Sequence, residues 1–154
     1  MSDVTQSEQP FRFHHPVEVR FKDIDLGGHA HHSHALVYFE EARWAYWREV
    51  AGRTGPDAID YILAEATLKW HQRVLWPALL DVAVRVPFVG RKHFVMEYVV
   101  SSPRGETLVS GATTQVMYDY AAGASKRLPD ELRARLEGFD GPFGRGGRWE
   151  RPGA

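Results

Sequence analysis

Val17, Val19 and Phe21 alternate with Glu18, Arg20 and Lys22. Successive side chains on a strand point to opposite faces, so this period of two predicts a half-buried strand with the apolar set inward. Gly27 and Gly28 break the run. From Ser33 to about Ala51 the period lengthens. Ala35, Tyr38, Phe39, Ala42, Tyr46 and Val50 fall on one helical face, while Glu40, Glu41, Arg43 and Arg48 mostly fall off it. Ser33 suits the N-cap of this helix and Gly52 its stop. Residues 56–63 predict a single helical turn. Four strand-like runs follow, over residues 65–74, 81–89, 93–101 and 107–119. Val82, Val84, Val86 and Phe88 alternate with other positions, as do Phe94, Met96, Tyr98 and Val100. Gly90-Arg91-Lys92 and Ser102-Pro103-Arg104-Gly105 read as hairpin turns, which makes the pairing antiparallel. Pro129 then opens a short helix with Leu132 and Leu136 on one face.

This order predicts an α+β domain in which one long helix buries its stripe on an antiparallel sheet of about five strands. The domain spans residues 13–140, with flexible tails at 1–12 and 141–154. A sheet of this kind leaves an edge or a face to be covered, which favours an oligomer.

Composition narrows the function classes. The 154 residues carry a net charge of −1, so no strong field draws nucleic acid or an anionic membrane. There is no cysteine, which removes disulfides, thiol catalysis and thiolate metal sites. The polar first ten residues lack a secretory pattern, and no apolar run reaches the length of a membrane span. A cytoplasmic protein is expected.

Candidate chemistry concentrates between Asp23 and Arg43. Two carboxylates, a glycine pair, a histidine cluster and a helix start lie close together. A carboxylate can act on a carbonyl as base or as nucleophile, and free amides at a helix start can stabilise an oxyanion. Asp25 is the candidate catalytic group; Asp23 reads as structural. Gly28 permits a positive φ and close approach of backbone to a ligand. His29, His31, His32 and His34 invite a metal reading, but no second ligand cluster accompanies them, so we read no metal and no other cofactor. Arg91 and Lys92 form a basic pair that could meet phosphates. Glu41 is the competing carboxylate, read as the partner of a basic neighbour. Trp44, Trp47, Trp70 and Trp76 suit either core or a pocket for a bulky apolar group.

Residues 16–139 resemble the 4-hydroxybenzoyl-CoA thioesterase family of hotdog-fold acyl-CoA thioesterases. The likeness rests on Phe21-Lys22-Asp23-Ile24-Asp25-Leu26-Gly27-Gly28-His29, on Tyr38-Phe39-Glu40-Glu41-Ala42-Arg43, on Arg91-Lys92-His93-Phe94-Val95 and on the closing Leu128-Pro129-Asp130-Glu131-Leu132. The resemblance implies a hotdog fold and hydrolysis of an acyl-CoA thioester, with Asp25 as the catalytic carboxylate. It puts the carbonyl-polarising amide on His32, with His31 and Gly28 in the adjoining loop, and the CoA nucleotide on Arg91 and Lys92. In one bacterial branch a histidine stands where His32 does, which implies a side-chain role as well. The family also implies a homodimer or homotetramer with the site between subunits. Departures are the histidines at 31 and 32, where Asn or Tyr is usual, and Trp76 ahead of the third strand. Two other readings share the fold: an acyl-thioester-binding protein without catalysis, and an enoyl hydratase or dehydratase using a histidine with an acid.

Overall fold

Burial of one face of the long helix organises the chain. The computed structural model describes residues 9–144. Strand β1 (Phe13–Val19) leads through a short 3₁₀ turn to helix α1 (His34–Glu49). Strands β2 (Tyr61–Trp70), β3 (Ala78–Val89), β4 (His93–Ser101) and β5 (Thr107–Asp119) follow. A two-residue strand β6 (Ala124–Ser125) and helix α2 (Asp130–Asp140) close the described part. The sheet runs β1-β3-β4-β5-β2, all antiparallel, with β6 paired to the far end of β5. This is the α+β arrangement expected, with six strands where about five were predicted. Flanking residues also make contacts: Phe11 lies under the Arg85 guanidinium at 4.2 Å, Arg12 Nη1 donates to the Phe139 carbonyl, and Phe143 packs on the core. Residues 1–8 and 145–154 of the expected tails lie outside the described residues.

The helical period predicts α1 well. Ala35, Tyr38, Phe39, Ala42 and Tyr46 are all buried, and Trp47 joins them. On the sheet, Val82, Val84, Val86, Phe94, Met96, Tyr98 and Val100 are buried as their alternation required. Phe39 stacks flat on Tyr98 with centroids 4.2 Å apart, and Trp47 stacks on Phe94 at 5.0 Å. Helix and sheet approach this closely because β5 carries Gly111 beneath the Phe39 ring. A Cβ there would collide with the Thr67 carbonyl oxygen and lie 2.9 Å from the ring.

Three local expectations are corrected. Strand β1 ends at Val19, so Phe21 falls in the 3₁₀ turn and is 74% exposed. Residues 56–63 form no helix: a single turn, closed by the Ala58 amide on the Gly55 carbonyl at 3.2 Å, precedes β2, whose Tyr61 and Ile62 already pair with Met117 and Val116. The inward face of β3 passes from Val86 to Val89, not to Phe88, because the register with β4 shifts between Arg85 and Phe88. Pro87 lies in that shift and has no N–H to donate to a ladder.

Helix α2 buries Leu132 and Leu136 and ends on Asp140, which is itself buried. Asp140 Oδ2 accepts the Tyr46 hydroxyl at 2.5 Å and the Val86 amide at 3.0 Å. Burial raises the Asp140 carboxyl above its ordinary range, opposed by these two donors. The folded chain therefore holds this proton more tightly than the unfolded chain. The group favours folding most at pH below about 3.9 and loses that contribution as pH rises through the raised value.

Both contacts bear on measurable stability. Gly111→Ala lowers the unfolding free energy by about 2 kcal/mol through overpacking, read as a lower urea midpoint; an unchanged midpoint contradicts the close approach. The stability of the wild-type chain relative to Asp140→Asn falls as pH is raised from about 4 to about 8. Urea unfolding across that range measures the difference, and a pH-independent difference contradicts the shift.

Candidate active site

The chain between β1 and α1 is built on Asp23. Its amide donates to the Arg20 carbonyl at 2.9 Å, and its Oδ2 accepts the Arg20 amide at 3.0 Å and the buried Tyr38 hydroxyl at 2.9 Å. His34 Nδ1 lies 3.4 Å from Oδ1. Burial first, and then Asp23, push the Tyr38 hydroxyl above its ordinary range, so it stays a protonated donor. The structural reading of Asp23 agrees with this setting.

Beyond Asp23 the chain makes a miniature hairpin. Ile24 and Ala30 pair as an isolated antiparallel bridge. The Asp25 amide donates to the His29 carbonyl at 3.0 Å, and the His31 amide donates to the Asp23 carbonyl at 2.9 Å. Gly28 occupies the tip with φ of 81°, which only glycine adopts without strain. Its amide donates to the Asp25 carbonyl at 3.1 Å, and the Gly27 amide donates to Asp25 Oδ1 at 2.8 Å. One arm of the hairpin thus presents Asp25. The other runs through His31 and His32 into α1.

The helix start differs from the expected cap. Ser33 does stand at the N-cap position, but its hydroxyl makes a 2.8 Å hydrogen bond with His31 Nδ1, and no helix amide bonds to it. The first turn is closed by the His34 amide on the His31 carbonyl at 2.9 Å and the Ala35 amide on the His32 carbonyl at 3.3 Å. Among the described residues no backbone hydrogen bond uses the His32 amide.

A cleft of about 290 Å³ opens against this turn. It brings together Asp25, His31 and His32, three of the sequence-predicted residues. Gly28 shapes the loop from outside the lining. The far wall comes from Trp70 and from residues 71–74, where the chain leaves β2. That segment is docked to the loop by the Ala30 amide on the Val74 carbonyl at 2.8 Å. His71 Nε2 is held by Ser110 Oγ at 2.8 Å. The His32 ring meets Trp70 edge-on at 6.2 Å and His31 at 3.9 Å. Trp70 is one of the indoles expected in core or pocket; residues 71–74 are hidden by a reading of residues 65–74 as one strand. The three consecutive polar residues His71, Gln72 and Arg73 break the alternation and mark the strand's true end.

Arg91 and Lys92 do not reach this cleft. They cap the β3–β4 hairpin, where the Lys92 carbonyl accepts the Met117 amide. The cleft adjoins Trp70, which pairs with Val109. Eight residues of β5 separate the two ends, roughly 27 Å at strand rise. Arg91 instead lines a larger groove of about 800 Å³ with His93, Arg127 and Arg133. Arg133 Nη2 donates to the Gly90 carbonyl at 2.7 Å and ties α2 to the hairpin. Glu41 lies outside the cleft, 3.7 Å from Arg20, the basic neighbour expected of it. Among the described residues no group of three or more His, Asp or Glu is placed to hold a metal ion. His29, His31 and His32 all line the cleft, while His34 faces Asp23.

Known proteins share this architecture. The family model of the thioesterase-like superfamily matches residues 19–136. YsmA of Bacillus subtilis (strain 168), an uncharacterized protein, is 25% identical over 126 residues, covering 82% of this chain and 86% of its own length. A thioesterase of Thermus thermophilus, solved in complex with coenzyme A and Zn, is 28% identical with a TM-score of 0.72, covering 82% of this chain and 98% of its own. The DHNA-CoA thioesterase of Staphylococcus aureus shares the fold at 19% identity and a TM-score of 0.74, covering 82% of this chain and 91% of its own.

Proposed function

The chain belongs to the thioesterase-like superfamily, and from that premise we propose that it hydrolyses an acyl-CoA thioester to the free acid and CoA. One observation carries the reading: the Asp25 carboxylate shares a cleft with the opening turn of α1. The thioester oxygen sits at the His32 amide, where the helix terminus favours developing negative charge. The Gly27 amide holds Asp25 Oδ1, which leaves Oδ2 to face the carbonyl carbon. Two routes use this arrangement. Asp25 takes a proton from water as the water oxygen bonds to the carbon, the C–S bond breaks, and the proton passes to the departing thiolate. Alternatively Oδ2 attacks directly and expels the thiolate, and water then hydrolyses the mixed anhydride. The His31 and His32 rings border the reacting carbonyl in both. Trp70, edge-on to His32, suits a bulky or aromatic acyl group.

Arg91 and Lys92 are assigned to the CoA nucleotide, and their distance from Asp25 within one chain calls for a second chain. Strands β1 and β2 are the two edges of the sheet among the described residues. Of these β2 is the longer, ten residues against seven, with Ile62, Leu63 and Trp70 exposed. Such an edge invites pairing. Two-fold antiparallel pairing of β2 with its copy sets the Trp70 end of one chain beside the Tyr61 end of the other. The basic hairpin of the partner then approaches the cleft that holds Asp25.

Thiol release over a panel of acyl-CoAs tests the chemistry. Asp25→Asn lowers kcat by about 100-fold or more with circular dichroism unchanged; a variant that keeps wild-type turnover refutes the role of Asp25. Light scattering on the eluting peak tests the assembly. A mass of two or four chains is expected at micromolar concentration, and a monomer that hydrolyses acyl-CoA rules out a shared site.

A further inference from the structure

We propose that Asp23 is a positioning residue for this reaction: through one buried carboxylate and its own carbonyl it sets the spacing between Asp25 and the amide end of α1. The inference rests on the thioesterase reading above and adds a residue to it.

Asp23 is 5% exposed. Burying a carboxylate is costly unless donors replace its water. Here donors converge from both flanking elements. The Arg20 amide comes from just past the end of β1 and the Tyr38 hydroxyl from the second turn of α1, while His34 Nδ1, in its first turn, lies 3.4 Å from Oδ1. Carboxylate oxygens accept hydrogen bonds, which suits that setting. The side chain therefore ties the strand end to the helix.

The backbone of the same residue holds the other half. Its carbonyl accepts the His31 amide at 2.9 Å, the first rung of the miniature hairpin. Asp25 lies two residues along the outgoing arm, and His32 lies one step past His31 on the returning arm. Both arms are thus anchored at Asp23. A shift of this root moves the carboxylate and the helix amides relative to each other. Reactions that depend on placed groups lose about 100-fold for a displacement of about 1 Å. Asp23 is not among the residues that line the cleft, so it acts through geometry alone. Tyr38 is the second member of the device, since its hydroxyl is the helix's link to Asp23 Oδ2.

The test uses the full chain with two readouts, thiol release and amide hydrogen exchange. Asp23→Ala lowers kcat by about 10- to 100-fold while KM stays within about threefold. Asp23→Asn, which keeps one acceptor oxygen, recovers part of that loss, and Tyr38→Phe lowers kcat by about 3- to 10-fold. In each variant with lowered kcat the Asp25 and His31 amides exchange about tenfold faster, while amides of β4 and β5 keep their protection. Wild-type kcat and wild-type exchange in Asp23→Ala overturn the proposal, as does a loss of protection spread evenly over the sheet. Should Asp23→Ala fail to fold, Asp23→Asn and Tyr38→Phe decide, because both fill the original space; wild-type values for both overturn it. A wild-type chain that releases no thiol defeats the thioesterase reading instead, and the exchange measurements alone then decide whether Asp23 sets the loop.

Discussion

The aromatic face of α1 pressed against the inner face of the sheet is the constraint on which the rest of the structure depends. Burying each of Tyr38, Phe39, Tyr46 and Trp47 contributes about 1.5–3 kcal/mol, and together they dominate the helix–sheet interface. Two flat stacks, Phe39 on Tyr98 and Trp47 on Phe94, lie about two turns apart and fix the helix along its axis. Gly111 makes the first of them possible. Once the helix is held, its N-terminus can only meet the sheet where β2 ends at Trp70. The position of the cleft is thus a consequence of core packing.

Burial alone leaves the helix free to adjust in rotation and tilt. Directional bonds limit that freedom. Three buried charged residues are found among the described residues, Asp23, Arg43 and Asp140, and each joins α1 to a different element. Asp23 bonds Tyr38 to the end of β1. Asp140 bonds Tyr46 to β3 from the end of α2. Arg43 Nη1 donates to the Tyr98 hydroxyl at 3.1 Å, which in turn lies 2.6 Å from Thr113 Oγ1, and the guanidinium sits over the Tyr61 ring at 6.0 Å. Arg43 therefore meets hydroxyls and a π face in place of a carboxylate. Such contacts offset the cost of burying charge and reward one geometry over its neighbours.

Chemistry follows from where these restraints leave the two ends of the sheet. One end carries a carboxylate, an opening helix turn and a wall of imidazole and indole. The other carries the guanidinium groups of Arg91, Arg127 and Arg133 around a wider groove that Asp130 and Glu137 also line. The acyl-CoA substrate proposed above, a thioester joined to a phosphorylated nucleotide, would suit both environments if two chains set unlike ends side by side. The β2 edge supplies a way to do so.

Local spacing determined a large part of this. The period of two in Phe94–Val100, the helical stripe from Ala35 to Tyr46 and the turn residues at 90–92 and 102–105 are properties of neighbours in the chain, so the strands and helices were legible. The sequence also placed Asp25, the glycine pair, His31 and His32 within one short loop before the helix, and residues so close in the chain needed no fold to bring them together. Tertiary structure decided the rest. Exposure of Phe21 depended on where β1 stops pairing with β3, and the turn of β3 from Val86 to Val89 depended on its register with β4. Residues 71–74 joined the cleft, and Arg91 and Lys92 were carried to the opposite end, because strand order sets both placements. Such contacts link residues tens of positions apart, and hydrophobic periodicity, which records only which face of an element is buried, holds no information about which element lies across from it.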